Sequence, residues 1–465
     1  MNTKATPSLD FSFPVIPPPR LSLSEALASA TETKELHVGV GEGARVVDVF
    51  RRQFPGKRAA VVCDAQTFKL AAERIHQELN AGGLSAGAPF IFPTDNFYAE
   101  FAFVESLEGA FRQHDGIPIA VGSGTINDLV KLAAHRVGRP YLCVATAASM
   151  DGYTAFGASI TRHGAKQTFN CPAPQAVIAD LDLIRTAPVE MTASGYADLQ
   201  AKITAGADWL LADALNVEKI DARSWSIVQG GLREALSDPT GARQGELRAI
   251  GALTEGLMLG GFAMQWSKSS RPASGAEHQF SHLWDMEHHM HNGAAPSHGF
   301  KVGIATLAVT SLYEELLRLP LENLDLDCCC ARWPDRVAVE ADIRSRFAGM
   351  DFIETAVEET LAKHPSVAEL RSQLALFRTV WPSLRQQLHA QLLPMQALKS
   401  RLHAVGAPTE PEAIGLTRER LRQSFHRAYF IRRRFTVLDL VVRTGTLDDC
   451  LAALFGAGGP WSNPT

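Results

Sequence analysis

Pro118-Ile-Ala-Val-Gly-Ser-Gly-Thr-Ile-Asn-Asp128 runs from a short apolar stretch through a glycine turn into a helical period over 126–137. A strand-length apolar run, a Gly turn and a helical period together make a β/α unit. The same alternation recurs on both sides. Glu35-Leu-His-Val-Gly39, Arg58-Ala-Ala-Val-Val-Cys-Asp64, Phe90-Ile-Phe-Pro93, Pro140-Tyr-Leu-Cys-Val-Ala145 and Ala176-Val-Ile-Ala179 read as strands, with helical periods over 67–79 and 105–114. This pattern predicts an α/β fold with a mostly parallel, doubly wound sheet. Near Pro188 strand-like runs thin out. Helical periods then cover roughly 196–217, 242–266, 273–291, 299–317, 335–348, 350–362, 365–389, 394–404, 416–433 and 445–455. The chain therefore divides into a Pro- and Ser-rich N-terminal arm over 1–35, an α/β domain over 36–187 and an all-α domain over 188–465.

Composition narrows the class of function. The 465 residues are 46% hydrophobic and 20% charged, the balance of a soluble globular protein. A net charge of −5 leaves no basic footprint for nucleic acid and no polybasic membrane patch. The longest apolar candidate, Ala252 to Trp266, contains Glu255 and three glycines, so it reads as a buried helix rather than a bilayer span. The start, Met-Asn-Thr-Lys followed by a Pro-rich stretch, has no apolar signal core, and cytoplasmic residence is expected. Seven cysteines, an odd count, argue against a disulfide framework. Cys63 and Cys143 fall in strand-like runs as inert core residues, and the adjacent Cys328, Cys329 and Cys330 lack the spacing of a structural zinc site.

Three segments lie where α/β sheets bind ligands. Gly122-Ser-Gly-Thr-Ile126 turns from strand to helix, so its backbone can approach a bulky ligand and its helix-start amides favour phosphate. It lacks both the third glycine of a dinucleotide fingerprint and the Lys-Ser/Thr ending of a nucleoside-triphosphate loop, and a plain turn reads as well. Asp64 ends an early strand, where an acid bonds adenosine ribose hydroxyls and disfavours a 2′-phosphate, or simply caps the next helix. Thr146-Ala-Ala-Ser149, with Met150-Asp151-Gly-Tyr153, follows a strand and so lies at the carboxyl edge of the sheet; its small residues permit close approach.

The histidines point to a metal. His278 and His282 are one helical turn apart in His-Gln-Phe-Ser-His, and His298 follows a polar loop. Upstream, Asp198 and Lys202 are also one turn apart. One carboxylate with two imidazoles is a common shell for a catalytic divalent ion with an open position. His288, His289 and His291 compete for the same role, and spacing alone does not choose between His278 and His282. Glu277 precedes His278, so this is not the His-Glu-x-x-His of metalloproteases.

Taken in order, Gly-Ser-Gly-Thr-Ile-Asn-Asp128, Thr-Ala-Ala-Ser-Met-Asp-Gly-Tyr153, Asp198-x-x-x-Lys202 with Ala-Asp-Trp209, Ser-Gly-Ala-Glu-His278-x-x-x-His282 and His298-Gly-x-x-Val302 resemble the sn-glycerol-1-phosphate dehydrogenases. The likeness is closest to their longer bacterial, arabinose-operon-associated form, within the dehydroquinate synthase-like, metal-dependent alcohol dehydrogenase superfamily. It covers about residues 35–310, and Gly415-Leu-Thr417 and Arg434-Phe-Thr-Val-Leu-Asp-Leu440 resemble the bacterial form too. The resemblance implies that Asp64 binds the adenosine ribose, that Gly122, Ser123, Gly124, Thr125 and Ile126 hold the NAD pyrophosphate, and that Thr146, Ala147, Ala148 and Ser149 line the nicotinamide side, with Asp128 a further cofactor contact. Asp198, His278 and His298 would ligate zinc, nickel or iron. Asp151, Asp198 and His282 would contact the substrate. Where relatives often carry Ser four residues after Asp151, this chain has Ala155, with Thr154 as the available replacement. The implied reaction is reversible reduction of dihydroxyacetone phosphate by NADH, with NADPH as the other option, to sn-glycerol 1-phosphate. Lys202 is the candidate for offsetting the substrate phosphate, against a surface lysine paired with Asp198. The alternatives are a dehydrogenase of another polyol or polyol phosphate, glycerol dehydrogenase-like, or a dehydroquinate synthase-like cyclase. A helical domain of this length often buries a partner face, so a homodimer is expected.

Overall fold

Six strands form one all-parallel sheet: β1 (Glu35–Gly39), β2 (Ala59–Asp64), β3 (Phe90–Phe92), β4 (Ile117–Gly122), β5 (Leu142–Ala145) and β8 (Ala176–Asp180), in the order β1-β8-β5-β4-β2-β3. β6 (Ala158–Arg162) and β7 (Ala165–Phe169) make a separate antiparallel hairpin. This computed structural model describes residues 18–93, 97–162 and 165–463. Of the expected N-terminal arm, residues 1–17 lie outside the described residues. The rest contains α1 (Leu23–Ser29), closed by a Ser22–Glu25 capping box.

Both faces of the central strands β2, β4, β5 and β8 are covered, which is why they read as near-continuous apolar runs, while the edge strands β1 and β3 are only partly buried. Val61, Cys63, Ile119, Val121, Val144 and Ile178 point into one core with α2 (Val46–Gln53) and α3 (Glu73–Ala81). The alternate residues Val62, Ala120, Cys143, Ala145, Val177 and Ala179 point into the other, with α4 (Phe101–Phe111) and α5 (Gly124–Arg136). From β2 the chain runs outward to β3, then returns across β2 to build β4, β5 and β8 in the opposite direction. The switch point therefore falls between β2 and β4, and ligands of such sheets bind outside the carboxyl ends there. Asp64 and Gly122 are the last residues of these two strands.

Among the described residues every element after Asp180 is helical. The helices that build the site are α6 (Val189–Gln200), α7 (Lys202–Ala214), α8 (Leu247–Ser267), α9 (Ala276–Met286), α10 (His298–Leu316) and α11 (Val437–Thr444). α8 holds the longest apolar stretch and is largely buried, and no helix among the described residues is long and apolar enough to cross a membrane. The segment expected as one helix over 196–217 is two, abutting at Ala201. It starts at once after Pro188, whose ring sets the entry φ. The reading also missed α1, α2, α11 and the β6–β7 hairpin, all short elements whose pattern is weak over so few residues.

Two glycines bring main chains into direct contact. A Cβ on Gly195 of α6 would lie inside the Ala148 carbonyl, and one on Gly299 of α10 would lie inside the Ser194 carbonyl. Gly109 of α4 is exposed, with nothing within 4 Å of its Cβ position. Gly195→Ala is therefore expected to destabilise the protein by about 2 kcal/mol or more. Gly109→Ala is expected to stabilise it by about 0.5–1 kcal/mol. Thermal melts of the two variants should move in opposite directions.

Candidate metal and nucleotide site

At the switch point, β4 ends in Gly122 and α5 begins at Gly124, with Ser123 at the N-cap making no side-chain capping bond. The first-turn amides of Gly124, Thr125 and Ile126 have no acceptor inside the helix, so they are available to an anion. A Cβ on Gly122 would meet Ile126, and one on Gly124 would meet Met150, so the turn leaves room for nothing larger. Asp64 stands one strand away. Its Oδ1 accepts the amides of Gln66 and Thr67 at 2.9 and 2.8 Å, so it does cap the following helix.

The loop after β5 begins with buried Thr146, Ala147 and Ala148, the Thr146 amide donating to the Gly122 carbonyl at 3.2 Å. Lys131, on α5 and fully buried, donates to the carbonyls of Gly152, Ala155 and Gly157 at 2.8, 3.0 and 3.0 Å, fixing the end of the loop to the cofactor-side helix. Sequence reasoning missed Lys131; its signal is a lysine inside the apolar run Leu129-Val-Lys-Leu-Ala-Ala134. Asp128 faces the hairpin, accepting the Ser159 amide at 3.1 Å and the Asn127 amide group at 3.2 Å, and burial raises its carboxyl. Thr154 donates its hydroxyl to the Met258 carbonyl at 2.7 Å and is fully buried, so it does not stand in for the serine absent at Ala155.

Asp198 lies near the end of α6, His278 and His282 on α9, and His298 opens α10 beside its N-cap Ser297. Ligand atoms of Asp198, His278 and His298 all come within 4.8 Å of one another. His278 Nε2 is 3.7 Å from Asp198 Oδ1. His282 stands beside this set, its ring centroid 6.3 Å from each of the other two. The competing histidines are elsewhere: His289 is held by the Ile414 carbonyl and Arg420, and neither His288 nor His291 joins the cluster.

The charges suit a cation. Lys202 is fully buried, not on the surface, and its Nζ contacts Asp198 Oδ1 at 2.6 Å and Asp151 Oδ2 at 2.7 Å. The Asp151 amide also donates to Asp198 Oδ2 at 3.1 Å. Burial alone would depress the lysine, but Asp151 and Asp198 hold it above its ordinary value. Burial would likewise raise Asp198, yet Lys202, then His298 and His278, bring its carboxyl down to about 2. Asp151 is raised, by burial and then by Asp198. Burial pushes His298 down to about 3 and His282 well below its usual value, so both rings are neutral at pH 7 with lone pairs free to ligate or accept. The Nδ1 atoms of both are buried without a hydrogen-bond partner, which fits a missing ligand or substrate. After burial, the charge that most depresses His282 is the Arg432 guanidinium, and Lys166 of β7 acts on both His282 and His298.

Residues 37–188 match the family model described as iron-containing alcohol dehydrogenase. A Bacillus subtilis protein named glycerol-1-phosphate dehydrogenase [NAD(P)+] is 34% identical over 288 residues, 61% of this chain and 73% of the relative. The chain belongs to the glycerol-1-phosphate dehydrogenase family. A Halalkalibacterium halodurans relative of the same name is 34% identical over 271 residues, which is 57% of this chain and 66% of that protein. Membership makes the chain an NAD(P)-dependent oxidoreductase. In fold, this family member is similar to glycerol dehydrogenase from Schizosaccharomyces pombe, with a TM-score of 0.57 and 16% identity over 94% of this chain and 92% of the other.

Removing Lys202 leaves two buried carboxylates without their shared cation. Lys202→Met is expected to destabilise the metal-free protein by about 3–5 kcal/mol. Adding Asp151→Asn should recover part of that loss, because the two sites are in contact and their effects couple. Denaturant midpoints of the single and double variants check both.

Proposed function

We propose that this chain reversibly reduces dihydroxyacetone phosphate to sn-glycerol 1-phosphate with NADH, at a divalent ion held by Asp198, His278 and His298. The observation that carries this reading is the convergence of those three side chains, one anionic and two imidazole, against the loop that leaves β5. The matching names of the relatives support the substrate. Zinc or nickel, with iron a further option, would supply Lewis acidity to the ketone oxygen.

The protein's own residues do the rest. Gly122 to Ile126 bind the pyrophosphate through backbone amides, and Asp64 binds the ribose and favours NAD over NADP. Thr146, Ala147, Ala148 and Ser149 keep the nicotinamide face close, and the cofactor supplies the hydride. Asp128, tied to the hairpin, contributes from behind this wall rather than by a free carboxylate. Asp151 and Asp198 orient the substrate hydroxyls. In the oxidation direction His282, neutral and with a free Nδ1, accepts the proton of the substrate hydroxyl; in the reduction direction the ring, protonated from solvent, returns that proton to the substrate oxygen. Lys202 is reassigned: its charge already serves two carboxylates, so it holds Asp151 and Asp198 in place. Arg432 and Lys166, whose fields reach His282, are the cations for the substrate phosphate. A homodimer and cytoplasmic residence are part of the same proposal, read by sedimentation and by cell fractionation.

The deciding assay follows NADH oxidation with dihydroxyacetone phosphate against dihydroxyacetone, after chelation and after adding back zinc or nickel. Activity should vanish on chelation, return with metal and favour the phosphorylated ketone; equal use of both ketones would remove the phosphate from the reading. Arg432→Ala should raise KM for the phosphorylated ketone by tenfold or more and leave dihydroxyacetone almost untouched, whereas Lys202→Met should impair both alike. Asp64→Ser should narrow the preference for NADH over NADPH, measured as a ratio of kcat/KM.

A further inference from the structure

Directly behind the candidate metal ligands lies a carboxylate that the proposed chemistry does not use. Glu277 opens the first turn of α9, one residue before His278, and is fully buried. Its Oε1 is 2.8 Å from His278 Nδ1 and accepts the Gly275 amide at 2.6 Å. Its Oε2 accepts the Thr204 hydroxyl at 2.9 Å. Among the described residues no lysine or arginine forms an ion pair with it; His278 is its only salt-bridge partner.

The surroundings fix this carboxylate in turn. Asp208 of α7 accepts the Ala276 amide on Oδ2 at 2.7 Å, and on Oδ1 the Val437 amide and the Tyr313 hydroxyl at 2.7 and 2.6 Å. One buried side chain thus anchors the starts of α9 and α11 together. A Cβ on Gly275 would collide with Asp208, Ala205 and Glu277, so the turn is seated against α7 with no slack.

We infer that Glu277 is a positioning residue for the metal: by accepting the Nδ1 proton of His278 it selects one tautomer, aims Nε2 at Asp198 and strengthens that nitrogen as a donor. A histidine ligand is a donor through one nitrogen only when the proton sits on the other, so the partner of Nδ1 sets both the direction and the basicity of the ligand. The geometry meets that requirement at both ends, with the acid on Nδ1 and Nε2 turned toward Asp198. The inference rests on the metal site of the proposed function.

A merely structural Glu277 would serve only as an acid at a helix start. Two substitutions separate the roles. Glu277→Gln keeps the shape and one acceptor oxygen for His278, and loses the charge. Glu277→Ala loses both. Zinc affinity, measured by competition with a chromophoric chelator on purified full-length protein, should fall about tenfold in Glu277→Gln and about a hundredfold in Glu277→Ala. In the cobalt-loaded protein the visible absorption bands should shift in both. Thermal melts of the metal-free proteins monitor the structural role separately, and Glu277→Gln should melt close to wild type. Unchanged zinc affinity and unchanged cobalt bands in Glu277→Gln and Glu277→Ala, whatever their melting points, would overturn the inference. Failure of the wild-type chain to bind zinc, nickel or cobalt would instead overturn the metal site itself.

Discussion

A single ammonium group removed from water is the constraint on which the site depends. Lys202 joins the loop after β5, through Asp151, to the helical part of the chain, through Asp198. A lysine so buried persists only because two carboxylates meet it, and each of those carboxylates is tolerated only because the lysine is there. The three charges do not cancel. One negative charge remains, which is an electrostatic invitation to a cation, and the Lys202 ammonium is what keeps Asp198 ionised despite its having no exposed surface.

That charge cluster is useful because of where the sheet puts it. The reversal of strand order between β2 and β4 opens a crevice at the carboxyl edge. Lys131 ties the β5 loop back to α5, while Lys202 ties it forward to α6 and α7. Two buried lysines, one bonding carbonyls and the other carboxylates, thus hold this loop to the helices on either side. Within the loop the Tyr153 hydroxyl donates to the Ala147 carbonyl at 2.8 Å, so its small residues Ala147 and Ala148 are held from inside as well as outside.

Much of this was visible in the amino-acid order. Buried parallel strands announce themselves as apolar runs, as β2, β4, β5 and β8 do; the half-buried edge strands β1 and β3 are legible too, and Gly122 to Asp128 marks the turn. The residue types of the metal cluster were visible as well. Their convergence was not, because Asp198, His278 and His298 meet through the packing of α6, α9 and α10, which no local spacing records. For the same reason His278 and His282 looked equivalent along one helix face. The pairing of Lys202 with Asp198 could be read at four-residue spacing, but its burial could not, since that depends on Asp151 in a distant loop. Glu277 was noticed only for failing to match a protease motif; its bond to His278 depends on a side-chain direction that order alone does not carry.

Gly195 and Gly299 have a further meaning. The Ala148–Ser149 backbone rests on α6, and α10 rests on the Ser194 backbone, so three chain segments touch peptide to peptide. The side chain that reaches between them is that of Ser194, whose hydroxyl accepts the Gly299 amide at 3.2 Å and donates to the Ser149 carbonyl at 3.5 Å. The separation between the wall that would face a nicotinamide ring and His298 is therefore set by the radii of carbon and oxygen atoms, the least adjustable lengths in any protein. Any side chain at either glycine would push these segments apart, so that spacing is fixed at two positions that carry no chemistry of their own.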